Sequence, residues 1–112
     1  REQGRYAQAE PLYKRALSIK EKSLGSNHLG TATSLSNIAL LYQLQNKYNE
    51  AEPLYKRALA ILEKSAPNHP DTATCLNCYA ELLRRTNRKV ESAKLKARAK
   101  AIMDHQAKSI TK

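Results

Sequence analysis

Apolar residues recur along the chain at intervals of three and four. Leu35, Ile38, Ala39 and Tyr42 fall at i, i+3, i+4 and i+7, and Ala51, Leu54, Tyr55, Ala58, Leu59 and Leu62 keep the same rhythm. That period gathers each set onto one face of an α-helix. With three Gly and four Pro, the chain has few breaks, as suits a mostly helical protein. The pattern predicts five helices, at roughly 5–22, 31–45, 48–64, 71–86 and 89–108. Pro53 stands early in its helix, where a missing N–H costs little. Asn46 and Asn87 suit tight turns, since Asn tolerates left-handed backbone angles. The stretch around Pro67-Asn68-His69-Pro70 reads as a loop, with Asp71 as the N-cap of the helix that follows.

The chain also repeats itself. Residues 6–19 match residues 48–61 at every position except Ala7/Asn49, Gln8/Glu50 and Ser18/Ala60. A weaker third copy sets Asn87-Arg88-Lys89 against Asn46-Lys47-Tyr48 and Leu95 against Leu54. The segments between repeat too: His28, Thr31-Ala32-Thr33, Leu35 and Ala39 return as His69, Thr72-Ala73-Thr74, Leu76 and Ala80. Each unit is a helical hairpin, and Ala39 and Ala51 are small enough for its two helices to approach closely. The expected domain is a single all-α array of antiparallel hairpins over residues 1–112, with about two and a half repeats. It divides into the second helix of a truncated repeat at about 4–24, a repeat at about 31–64 and another at about 71–108. The first helix carries Ala9, Leu12, Tyr13, Ala16 and Leu17, a stripe that needs cover from an upstream repeat or another molecule, since such units cannot bury their apolar faces alone.

Composition narrows the picture. A chain of 112 residues supports one modest core, and without Trp or Phe its packing falls to Tyr, Leu and Ala. The net charge is +10, which favours an acidic partner: an acidic peptide, a nucleic acid or an anionic membrane. Residues 84–112 hold ten Lys/Arg against Glu91 and Asp104. No apolar run approaches the ~20 residues that span a bilayer, the first residues have no signal-peptide core, and no membrane partner is expected. Cys75 and Cys78 lie three apart on one predicted helix, which disfavours a disulfide and points to a reduced, cytoplasmic setting.

Several residues match a known family. They are Ser36-Asn37-Ile38-Ala39-Leu40-Leu41-Tyr42, Asn46-Lys47-Tyr48, Ala51-Glu52-Pro53-Leu54-Tyr55-Lys56-Arg57-Ala58-Leu59-Ala60-Ile61 and Asn68-His69-Pro70-Asp71. The pattern resembles the tetratricopeptide repeat, and within it the longer repeats of kinesin light chains and their bacterial relatives. The likeness covers residues 4–103. Lys89 and Val90 depart from it, standing where an aromatic usually opens the second helix. Cys78 also departs, replacing the Asn that Asn37 supplies one unit earlier. The helix around Ala97-Arg98-Ala99-Lys100-Ala101-Ile102 looks like the closing helix of such arrays. The resemblance implies a right-handed superhelix whose first helices line a concave, partner-binding groove. By position it nominates Thr33, Ser36, Asn37, Leu40, Gln43 and Leu44 in one unit, then Thr74, Asn77, Cys78, Glu81, Arg84 and Arg85 in the next. The Asn37 amide offers a peptide backbone both a donor and an acceptor, and Arg84 and Arg85 suit an acidic side chain. The basic pair with which some members clamp a terminal carboxylate is unmatched, because Thr74 and Cys78 occupy those places.

Other chemistry is weakly signalled. Tyr13, Tyr42, Tyr55 and Tyr79 stand at apolar helix positions, so core packing is expected ahead of base stacking. Two cysteines fall short of a zinc ligand set, and no metal or cofactor is expected. His28 and His69 recur with the repeat and are expected to pack loops. No nucleophile–base grouping or phosphate loop is present, so no enzyme is expected. The expected function is a protein–protein interaction module or scaffold that holds a peptide, acidic by charge balance, in its groove. Two alternatives stay open: nucleic-acid binding through the basic end, and a homodimer formed through the unpaired N-terminal helix.

Overall fold

The computed structural model describes residues 2–25 and 27–111, with side chains described over 4–25 and 27–108. Among the described residues five helices run in order: α1 (Glu2–Leu24), α2 (Leu29–Leu44), α3 (Tyr48–Ser65), α4 (Pro70–Arg85) and α5 (Lys89–Thr111). There is no strand among the described residues. Helices α2 and α3 form one hairpin and α4 and α5 a second. Helix α1 lies against α2, α3 joins the hairpins by packing on α4, and the first helices α2 and α4 also touch. The thinnest dimension is 23 Å, about two helix diameters, so the array is one layer of first helices on one layer of second helices.

Both hairpins turn in the same way. Asn46 and Asn87 each hold φ at 63°, the left-handed conformation that Asn tolerates better than most residues. The Lys47 and Arg88 amides each donate 2.8 Å bonds, to the Tyr42 and Leu83 carbonyls respectively. These six-to-one bonds, with the left-handed residue just before them, close each first helix in a Schellman motif.

The link between units is equally regular. The Thr31 hydroxyl donates to the Gly25 carbonyl at 2.7 Å, and the Thr72 hydroxyl to the Ala66 carbonyl at 2.6 Å. The caps correct the sequence reading. Helix α4 begins at Pro70, so Asp71 lies within its first turn and is not the N-cap; His69 is. The His69 Nδ1 accepts the Asp71 amide at 3.0 Å, as His28 Nδ1 accepts the Gly30 amide at 2.9 Å in α2. The recurring histidines therefore satisfy helix N-termini through their ring nitrogens.

The core lies between the layers. Ala32, Leu35 and Ala39 of α2, Ala51, Tyr55 and Ala58 of α3, and Leu76 and Leu82 of α4 are fully buried, and Ala99 and Ile102 seal the α5 side. Where α3 packs on α4, Tyr55 stacks on Tyr79, with ring centroids 5.5 Å apart. Tyr13 departs from the expectation that the tyrosines pack in the core. It is 42% exposed, beside Leu12 at 66% and Ile19 at 55%, because nothing among the described residues packs on that side of α1. Tyr42 is half-buried.

Candidate functional site

Helices α2 and α4 lie side by side and leave a furrow between them. One hollow of about 460 Å³ is lined by Leu40, Gln43, Leu44, Asn46, Tyr48, Asn77, Cys78, Glu81 and Arg85. A second, of about 200 Å³, is lined by Thr33, Ser36, Asn37, Leu40, Leu62, Asp71, Thr74, Cys75 and Cys78. Leu40 and Cys78 border both, so the two lie next to one another along the pair of helices. Eleven of the twelve nominated residues line one hollow or the other; Arg84 lines neither. Sequence reasoning passed over Asn46, Tyr48, Leu62, Asp71 and Cys75 as lining residues. Asn46 and Tyr48 flank the hairpin turn, so the position of that turn was their available signal.

The twelve are not equivalent. Gln43 is buried, and its side-chain oxygen accepts the Tyr55 hydroxyl at 2.7 Å, so it braces the groove floor from inside. Ser36 donates to Cys75 Sγ at 3.2 Å. Thr33 and Thr74 bond back to the Leu29 and Pro70 carbonyls of their own helices. Asn37 is exposed and makes no side-chain hydrogen bond with the described residues, which leaves its amide open to a ligand. Leu40 and Leu44, at 38% and 48% exposure, give the furrow an apolar wall facing solvent.

The charges gather at one end. Glu81 receives Arg84 at 2.6 and 3.0 Å and Arg85 at 2.9 Å. These hydrogen bonds hold its carboxyl down at about 2. Two guanidiniums share one carboxylate, so this end keeps one surplus positive charge, while Asp71 marks the opposite end. The thiols are quiet. Burial pushes Cys75 up to about 11 and raises Cys78 as well, which keeps both protonated and weakly nucleophilic. Among the described residues, no group of three or more His, Cys, Asp or Glu could hold a metal ion, and no helix is long and apolar enough to cross a membrane.

Much of the basic stretch is paired. Arg84 and Arg85 engage Glu81, Arg88 grips Glu52 at 2.6 and 2.8 Å, Arg98 meets Glu63, and Lys100 meets Asp104.

Paired helices of repeating sequence, stacked so that one layer forms a furrow, define an α-helical repeat scaffold. The chain belongs to the tetratricopeptide repeat family, whose model matches residues 1–64. No curated protein matches the chain significantly. Tetratricopeptide repeats are in general protein–protein interaction modules, and the family is in general a non-enzymatic scaffold.

Proposed function

We propose that the α2–α4 furrow receives a short peptide segment of a protein partner, with an acidic residue of that segment at the Arg84–Arg85 end. One observation carries the reading: the two hollows adjoin along both first helices, with exposed Leu40 and Leu44 on the wall and the open Asn37 amide on the rim. Apolar side chains of the guest settle against the leucines, and Asn37 serves its backbone as donor and acceptor. The surplus cation beside Glu81 and the anion at Asp71 give the guest a direction. The repeat spacings of 41 and 42 residues exceed the ~34 of the commoner tetratricopeptide unit, which supports the kinesin-light-chain-like kind of repeat. The free thiols fit a reduced, cytoplasmic setting.

Selection from a displayed random peptide library tests this reading. Selected peptides should carry apolar residues with Asp or Glu toward one end, and Leu40→Glu, Asn37→Ala and Arg85→Glu should each weaken them. Peptides that bind all three variants like the parent would remove the groove assignment. The internal pairing of the basic stretch disfavours nucleic acid as the main partner; a steep salt dependence of duplex binding would reverse that preference.

A further inference from the structure

The layer of second helices carries a hollow that repeats with the chain. One hollow, of about 230 Å³, is lined by Asn27, Arg57, Ala60, Ile61, Lys64 and Ser65. Moved on by 41 residues, the first five of these positions line another hollow, of about 400 Å³, with His105 in the place of Lys64. Neither hollow shares a lining residue with the α2–α4 furrow.

The recurrence has a structural origin. Among the described residues, α1, α3 and α5 do not pack directly on one another. Each gap is spanned by an ion pair instead, Glu21 of α1 with Arg57 of α3, and Glu63 of α3 with Arg98 of α5. A gap bridged at one point stays open beside the bridge, and the link between units borders it at Asn27 or Asn68. The floor is apolar, since Ile61 and Ile102 are buried. On the rim, Lys64 and His105 are exposed and make no hydrogen bond or ion pair with the described residues. Each arginine is already matched by a glutamate, so Lys64 leaves the smaller hollow with one surplus positive charge. The His105 ring gives the larger one an N–H donor.

Such a hollow fits an acidic side chain, with its methylenes on the isoleucine floor and its carboxylate on the Lys64 ammonium or the His105 ring. A nucleic acid fits less well, because its phosphates need several cations together and would meet Glu21 and Glu63 beside the arginines. Consecutive seats lie one second helix apart, roughly 10–12 Å. An extended chain covers that distance in three to four residues at ~3.3 Å each. We infer that the second-helix layer holds an extended acidic segment of a protein partner, with two carboxylates three to four residues apart seated in the two hollows. This site is independent of the furrow and its guest.

An NMR titration of the ¹⁵N-labelled protein tests the inference, with a short synthetic Gly/Ser peptide carrying two glutamates four residues apart. Amide shifts are expected at Lys64, Ser65, Asn68 and His105, with Asn37 and Asn77 unmoved. Lys64→Glu should weaken binding by about tenfold, and Lys64→Arg should keep it. Neither change should alter Tm, because Lys64 is exposed and unpaired. Ala60→Gln fills the smaller hollow without changing charge and should weaken binding severalfold. A peptide with its two glutamates adjacent reaches one hollow only and should bind about fivefold more weakly. Leu40→Glu, which obstructs the furrow, should leave this binding intact, so the two sites fail separately. Shifts confined to the furrow, no shift at either hollow, or an affinity unchanged by Lys64→Glu overturns the inference. So does a DNA duplex that binds more tightly than the peptide and is weakened by Lys64→Glu, since nucleic acid would then be the occupant.

Discussion

Helices α1 and α3 share eleven of fourteen residues over 6–19 and 48–61, yet they live in different surroundings. Helix α3 is held between α2 and α4, and its Ala51, Tyr55 and Ala58 are fully buried. Helix α1 has α2 on one side only, and Leu12, Tyr13 and Ile19 face solvent. Burial in a stacked array is therefore set by the neighbouring unit as much as by the segment's own sequence. Each hairpin obtains part of its stability from the interface with the next.

The largest test of that difference is to remove the same side chain from both helices. Tyr55→Ala should cost about 3–5 kcal/mol, as large aromatic deletions in a core do. Tyr13→Ala should stay within about 0.5 kcal/mol, the usual range for exposed positions. Equilibrium urea unfolding of the two variants reads both. Similar losses would mean that α1 is covered in solution as α3 is. Tyr55→Phe sharpens the result, because it strands the buried Gln43 oxygen and should cost about 1–2 kcal/mol, while Tyr13→Phe should cost nothing measurable.

A smaller contrast lies in the acidic residue that each second helix aims at the following unit. Glu52 takes both Arg88 nitrogens and the Tyr79 hydroxyl, at 2.6 to 2.8 Å. Its counterpart Glu10 is held by Lys14 from its own helix at 3.0 Å and reaches the Tyr42 hydroxyl only at 3.5 Å. Both partners of the Glu52–Arg88 pair are partly exposed, so Arg88→Ala should cost about 1 kcal/mol after solvent screening. Lys47→Ala, the matching change beside Glu10, should cost less. Acid unfolding shows the sign. Hydrogen bonding to Arg88 lowers the Glu52 carboxyl below its ordinary 4.5, so as pH falls the unfolded chain binds the proton first. The contribution is complete above about 4.5 and fades as pH drops through the lowered folded value. Arg88→Ala should flatten this acid limb. At the other extreme, burial raises the Cys75 thiol to about 11 from 9.0, so stability should fall as pH rises through that window, and Cys75→Ala should lessen the fall.

The helices and their repetition were legible because a 3.6-residue apolar rhythm and a spacing of 41 to 42 residues are properties of the sequence itself. The turns were legible because Asn at the end of an apolar stripe has one strong structural use, and Asn46 and Asn87 both serve it. Tyr13 divided the sequence reading: it was expected in the core with the other tyrosines, because the local sequence is that of buried Tyr55, yet its stripe was also expected to need cover from outside, and its exposure follows from what packs opposite. Gln43 was legible as a groove position but not as the internal partner of Tyr55, because spacing along a helix carries no information about a bond across a hairpin. The two guanidiniums beside Glu81 were visible as charges, and their sharing of its one carboxylate followed only from the i+3 and i+4 geometry of α4.

The histidine caps were missed for a chemical reason, and they supply the smallest test. Asp is a common N-cap and His is not, so Asp71 drew the assignment that belongs to His69. Pro70 decides the matter: its fixed φ opens the helix at N1, which leaves the preceding residue, extended at φ −81° and ψ 144°, as the cap. Losing that acceptor in His69→Ala should cost about 0.5–1 kcal/mol, and His28→Ala should cost about the same at the start of α2. Asp71→Ala loses only a favourable charge in the first turn, about 0.3 kcal/mol at this exposed site, and that difference should vanish in high salt. His69→Asn should restore the stability that alanine removes, since Asn offers an oxygen to the same amide. A larger loss at Asp71 than at His69 would return the cap to the aspartate and break the likeness between the two unit junctions.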